Sequence, residues 1–300
     1  MSAGALLLAW AAGLFTFGAI VIAVYGARNP ANARELWRVY ASTIGIAAAF
    51  LVPAAIHPAL FAVLVAAVAW RCAVELAATY GARVSAARHC ALAAGAAAFA
   101  WWGATDSAGG TSALFIASGA IILLGAPLYA HAFNTPPAGA RIGLLSAAFP
   151  MLAAAHLSHL AHLRDGFVWV CVLYVTVETQ DSMAYLFGRV LGRHRILPRL
   201  SPNKTVEGAV AGACCGLGVG AAMAWGLLHL APDTAFAVAA LLVIAGFSGD
   251  LFTSALKRAA RVKDFPRVHR LHGGVLDIYD STLFAAIALS WAVWALDGAR

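Results

Sequence analysis

Two short segments carry most of the residues able to do chemistry. One is KRAARVKDFPRVHRLHGGVLDIYD, residues 257–280, and the other is GRVLGRHRILPRLSPNKT, residues 188–205. Together they hold 11 of the 20 Lys and Arg residues. Acids stand at their edges: Asp181, Glu207, Asp250, Asp277 and Asp280, with Glu75 and Glu178 further off. Asp250 and Asp277 flank the longer segment, so they can converge at its base and hold a divalent cation through oxygen atoms, the donors Mg²⁺ prefers. Ser254, Lys257 and Arg258 follow at i, i+3 and i+4, which share one helix face, below Asp250. Lys263-Asp264 and His272-Gly273-Gly274 come next. Lys and Arg neutralise phosphate, Arg bidentately. A glycine pair allows close approach of a phosphate to backbone N–H groups. Cations, carboxylates and a divalent metal make a phosphoryl- or nucleotidyl-transfer site.

The 181–208 stretch supplies a second half. Asp181 and Arg189 precede Ser201, Lys204, Thr205 and Glu207. Either Ser201 caps a helix containing Pro202 and Lys204, or Thr205 opens it with Glu207 near its positive end. In both cases a helix N-terminus beside Arg and Lys is suited to an anion. No Walker A pattern is present. His156, His159 and His162 share a spacing that could bind metal, but they read better as interfacial side chains.

The elements that must position these residues are membrane helices. The chain has 300 residues, 62% hydrophobic and 11% charged, with a mean hydropathy of +0.82. Soluble domains are about 25% charged, so so few charges exclude an ordinary water-facing surface. Spanning helices need about 20 apolar residues. Ten runs qualify: 4–26, 40–56, 58–79, 90–105, 112–132, 142–160, 167–187, 206–230, 234–256 and 281–298. The expected fold is all-α, a polytopic transmembrane helical bundle of about 9–10 spans with cytoplasmic active-site loops. Residues 1–165 form its N-terminal helices and residues 166–300 its catalytic region. With ten spans, 17 basic residues fall in one set of loops and 2 in the other, with Arg71 inside a run. The positive-inside rule then puts the basic loops in the cytoplasm. The net charge of +7 is thereby assigned to topology and lipid phosphate rather than to nucleic acid. The first run lacks a signal peptide's basic start and is expected to remain as a helix. The five cysteines lack CxxC spacing, so neither a zinc site nor a disulfide framework is suggested.

An ionised Asp at mid-membrane costs about 2.5–3.5 kcal/mol on the insertion scale. Ser248-Gly249-Asp250 interrupts an apolar helix, and reads as a place where backbone and carboxylate approach a ligand or ion.

Residues 248–264, SGDLFTSALKRAARVKD, and 272–280, HGGVLDIYD, resemble the C-terminal signature of the phosphatidate cytidylyltransferases, or CDP-diacylglycerol synthases. Residues 181–208 are similar to a second region of that family. Two features depart from the pattern: Ile278 stands where the family usually has Arg, and Pro266, His269 and Arg270 replace its usual small and Leu-Pro or Leu-Gly residues. The resemblance implies transfer of a cytidylyl group from CTP to phosphatidate with Mg²⁺, giving CDP-diacylglycerol and pyrophosphate. It implies Asp250 and Asp277 as metal ligands beside Ser254. It assigns Lys257, Arg258, Lys263 and His272 to phosphates, with Asp264 orienting Lys263 or assisting the cation. Asp181, Arg189, Ser201, Lys204, Thr205, Glu207, Gly273 and Gly274 would line the substrates. The expected location is a bacterial inner membrane, with the site facing the cytoplasm and membrane lipid around it. A homodimer is compatible with this reading. The altered lining points to another lipid phosphate as an alternative acceptor. An inactive protein of the same fold, or a transporter built on the intramembrane acids, are the remaining alternatives.

Overall fold

A computed structural model describes residues 30–81, 85–105, 113–121, 139–198, 200–266, 268 and 273–298, with isolated positions between 13 and 27. Its helices are α1 (Pro30–Ile56), α2 (Pro58–Thr79), α3 (Ala86–Ala104), α4 (Gly139–His162), α5 (Gly166–Leu191), α6 (Val206–Leu228), α7 (Pro232–Ala259) and α8 (Val275–Gly298). Between α5 and α6 lies an antiparallel ribbon of β1 (Arg195–Leu197) and β2 (Ser201–Thr205). Residues 113–121 are also helical. Eight of the ten apolar runs therefore coincide with a helix, while most of 4–26 and most of 112–132 lie outside the described residues. Five helices among those described are long and apolar enough to cross a membrane: Trp37–Ile56, Pro58–Thr79, Val206–Leu228, Pro232–Ala259 and Val275–Asp297. Large apolar side chains such as Val63, Trp225 and Ile244 are exposed, which fits an outer face against hydrocarbon. The chain is an all-α polytopic membrane protein.

Two compact units are present, Met1–Ile56 and His57–Arg300. Both chemistry-bearing segments belong to the second. Its helix starts follow local rules. His57 accepts from the Ala59 N–H through Nδ1 at 3.1 Å, with Pro58 opening α2. Ser85 caps α3 and Thr205 caps α6. Within this unit α2 and α3 pack on α4, and α7 packs on α8. Phe149, Phe252 and Phe284 join α4, α7 and α8, with Phe149 and Phe252 centroids 5.3 Å apart.

Helices α5 and α6 pack closely. Gly208, Gly212, Gly216 and Gly220 recur every four residues and so line one face of α6. A Cβ on Gly208 would lie 2.5 Å from the Ala184 carbonyl oxygen, and one on Gly212 would lie 2.5 Å from that of Gln180. Small residues let backbones approach where lipid supplies no hydrophobic drive. Gly218, on the same helix, has nothing within 4 Å of its Cβ position. Gly212→Val is therefore expected to destabilise the detergent-solubilised protein by about 1–3 kcal/mol through overpacking. Gly218→Ala should leave the thermal unfolding midpoint unchanged or slightly raised. Equal midpoints for the two variants would contradict the close α5–α6 contact.

Candidate functional site

The hairpin places Lys204. Thr205 pairs with Arg195, Ser201 pairs with Leu197, and the Val206 N–H donates to the His194 carbonyl at 2.8 Å. Ser201 thus lies in a strand, and the expectation that it caps a helix is corrected. The cap is Thr205, whose Oγ1 accepts from the Gly208 N–H at 3.2 Å. Glu207, in the first turn of α6, accepts from the Arg193 and His194 N–H groups at 3.0 and 3.2 Å and contacts His194 Nδ1 at 2.6 Å. Its carboxylate thereby fixes the turn after α5 and orients the hairpin. Lys204 then projects to α7, where Nζ pairs with Asp250 and lies 4.5 Å from the Phe247 ring centroid. Ser254 Oγ donates to the other Asp250 oxygen at 3.3 Å.

Gly249, beside Asp250, serves helix packing. A Cβ there would meet Phe284 Cβ at 2.6 Å and the Asp280 carbonyl oxygen at 2.9 Å. The close approach expected at this glycine is made by α8, so the Ser-Gly-Asp interruption is accounted for by a neighbouring helix.

The turn at the end of α7 places Lys257 and Arg258. Arg261 has φ +58°. The Val262 N–H donates to the Lys257 carbonyl at 2.9 Å and the Arg261 N–H to the Arg258 carbonyl at 3.0 Å, the two bonds of a Schellman ending. Lys257 Nζ donates to Asp277 Oδ1 at 2.7 Å and lies 5.3 Å from the Phe265 ring centroid. Asp277 Oδ2 accepts from the Phe265 and Gly274 N–H groups at 3.1 and 3.0 Å. As the third residue of α8 it reaches back to the N–H before that helix, as a capping-box acid does. Gly273 has φ +87°, and a Cβ there would lie 2.7 Å from Asp277 Oδ2. The glycine pair is thus spent on admitting carboxylates. Arg258 links the segments differently: Nε donates to the Leu200 carbonyl at 3.0 Å and Nη1 to the Val262 carbonyl at 2.9 Å.

Asp280 is buried and accepts from Thr253 Oγ1 at 2.5 Å and the Ser281 N–H at 2.7 Å. Asp181 lies within electrostatic reach of Asp250, Asp280 and Glu178, with Lys204 as the facing cation. Lys257 feels Asp280, Asp277 and Asp250. Two lysines and five carboxyl groups thus share one region, and carboxyl oxygens are the donors a hard divalent cation takes. Among the described residues no three His, Cys, Asp or Glu side chains form a metal-holding group. Asp250 and Asp277 are each engaged by a different lysine.

Of the other expected site residues, Arg189 is exposed and donates to the Tyr185 hydroxyl at 2.9 Å. Lys263 is exposed and Asp264 half-buried. His272 lies outside the described residues.

Two residues absent from the expected site bear on it. Glu75, on α2, is fully buried and accepts from the Val275 and Leu276 N–H groups, both at 2.9 Å. Tyr80 follows α2 and donates from its hydroxyl to the Leu256 carbonyl at 2.9 Å. Burial pushes its phenol up to about 12, so it remains a donor. Glu75 carried one sequence signal, an acid inside an apolar run. Tyr80 carried none. The buried His156 contacts Ser118 Oγ through Nε2 at 2.5 Å. It is a core residue at this depth, which corrects its expected interfacial place.

A family model described as the Cytidylyltransferase family matches residues 36–296. Proteins named phosphatidate cytidylyltransferase from Staphylococcus haemolyticus (strain JCSC1435) and Staphylococcus saprophyticus subsp. saprophyticus are each 35% identical over 150 residues, covering 48% of this chain and 58% of the relative. One of that name from Staphylococcus aureus (strain COL) is 33% identical over the same length, with the same coverage. The chain thus spans 58% of the length of these curated relatives.

Proposed function

The chain belongs to the cytidylyltransferase family, and from that premise we propose that it transfers a cytidylyl group from CTP to phosphatidate, releasing pyrophosphate and forming CDP-diacylglycerol. The observation that carries the reading is the convergence of both segments on α7: Lys204 pairs with Asp250, Lys257 pairs with Asp277, and Arg258 donates to the Leu200 carbonyl between the segments.

A phosphate oxygen of the lipid attacks the α-phosphorus of CTP. The new P–O bond forms as the bond to the bridging oxygen of the β-phosphate breaks, and pyrophosphate leaves with the electron pair. The nucleophile is already anionic, so no strong general base is required. Catalysis is then positioning and charge neutralisation. Lys257 and Lys204 supply partly buried positive charge whose positions are set by Asp277, Asp250 and the two aromatic rings beneath them. Lys263 and Arg189 are exposed cations on the same two segments and are proposed to meet the incoming phosphates. Asp250 and Asp277 are the residues that would hold Mg²⁺, which when bound neutralises triphosphate charge. Mg²⁺ is commonly shared between one or two carboxylates and substrate phosphates, so a three-residue protein cage is not required. The bundle's apolar exterior and its basic loops support a bacterial plasma-membrane location with the site on the cytoplasmic side, where CTP and the lipid headgroup meet.

The test is pyrophosphate release by detergent-purified protein. Release should need CTP, Mg²⁺ and phosphatidate together and should vanish in Asp250→Ala. Release with a different lipid phosphate only would move the acceptor, in keeping with Ile278 and the altered 265–271 segment. No release with any lipid phosphate would overturn the reading.

A further inference from the structure

α2 contributes none of the residues assigned to the phosphates, yet it holds both ends of the loop that does. At the incoming end, the Tyr80 hydroxyl donates to the carbonyl of Leu256, the residue before Lys257. At the outgoing end, the two oxygens of Glu75 accept from the Val275 and Leu276 N–H groups, while the Gly274 N–H is taken by Asp277. The first N–H groups of a helix have no partner within it. Here three of those at the start of α8 are satisfied by two carboxylates, one of them 200 residues away. Arg71 holds Glu75 from one turn below, Nε to Oε1 at 3.2 Å. Gly274 is what admits Glu75: a Cβ there would lie 2.6 Å from Glu75 Oε2 and 2.9 Å from Phe265 Cβ.

We infer that Glu75, braced by Arg71 and working with Tyr80, is a positioning residue for the reaction, clamping the 257–276 loop so that Lys257 and Asp277 meet in register. This role rests on the cytidylyltransferase reading. Glu75 touches no substrate. It acts through the α8 N-terminus, which carries Asp277 two residues further on. Replacing one carboxylate oxygen with an amide NH₂ turns an acceptor into a donor facing an N–H, so Glu75→Gln breaks one of the two bonds with little change of volume.

The experiment pairs kinetics with hydrogen exchange on full-length protein in detergent, for Glu75→Gln, Glu75→Ala and Tyr80→Phe. In Glu75→Gln, kcat should fall by about 10- to 100-fold, the range that a sub-ångström to ångström misplacement brings. KM for CTP should stay within about twofold, because the lost interaction is not with ground-state substrate. Amide exchange over residues 265–278 should quicken by about tenfold, the factor one lost charge-assisted hydrogen bond sets. Exchange in α5 and α6 should not change. Glu75→Ala should show the larger effect in both readouts and Tyr80→Phe the smaller. A wild-type kcat in Glu75→Gln would overturn the inference, and so would exchange that quickens equally in every helix, the mark of a general brace. A wild-type protein releasing no pyrophosphate would instead sink the cytidylyltransferase reading. The exchange profile would then still decide whether Glu75 holds the loop.

Discussion

Asp277→Asn should reduce the rate of pyrophosphate release by about 10²–10³-fold, the cost of losing one preorganised electrostatic element at a reacting centre. The substitution keeps shape and removes charge. Asp277 spends Oδ1 on Lys257 and Oδ2 on two backbone N–H groups, so the amide NH₂ of Asn must face a donor in either orientation. Lys257 is left without its partner at 12% side-chain exposure. Stranding one member of a buried pair costs about 3–5 kcal/mol, and part of that should register as a lower unfolding midpoint. Lys257→Met in the Asp277→Asn background separates the two effects. Removing the stranded charge should restore much of the stability and none of the activity. An Asp277→Asn enzyme retaining more than a tenth of wild-type turnover would remove Asp277 from the site.

Legibility in the sequence followed the range of the interaction. Eight apolar runs became helices because hydrophobic length is written locally. The pairing of Lys257 with Asp277 was also within reach, since one loop separates them and the chain must return across it. Glu75 was visible as an acid in an apolar run, but its partners are the Val275 and Leu276 N–H groups. A backbone amide has no sequence signature, so nothing pointed from Glu75 to α8. Arg261 hid the end of α7. The left-handed position of such an ending usually holds Gly, and here Arg takes it. Ser201 and Thr205 were equal as caps until β1 paired with 201–205. Pro202 tolerates that strand because a two-stranded ribbon is all edge. The four-residue ladder from Gly208 to Gly220 is legible in the sequence. A single GxxxG is weak, whereas four glycines in strict register mark a helix face.

Lys204→Met should separate catalysis from folding more cleanly than any other change in the site. Lys204 and Asp250 belong to different elements, one on the hairpin and one in α7, and their ion pair stands beside the packing of Leu200 on Leu251 and Ala255. Both remain partly open, at 21% and 27% exposure. A pair in that setting contributes little to stability, about 1 kcal/mol or less. Met preserves length and the apolar contact with the Phe247 ring beneath Nζ, which limits the structural loss further. The charge itself faces Asp181 and Asp250, in the interior where the triphosphate is proposed to lie. If Lys204 neutralises phosphate, the variant should lose about 10²-fold in kcat/KM while its unfolding midpoint falls by no more than a few degrees. Lys204→Arg should recover part of the loss, since Arg keeps the charge but not the compact geometry of an ammonium. The double variant with Asp250→Asn supplies the last discrimination. Two residues acting through one another give a double variant little worse than the poorer single one. Independent losses would instead multiply, and would place Lys204 on the nucleotide without Asp250 as its intermediary. A Lys204→Met enzyme with wild-type kcat/KM would confine the hairpin to a structural part.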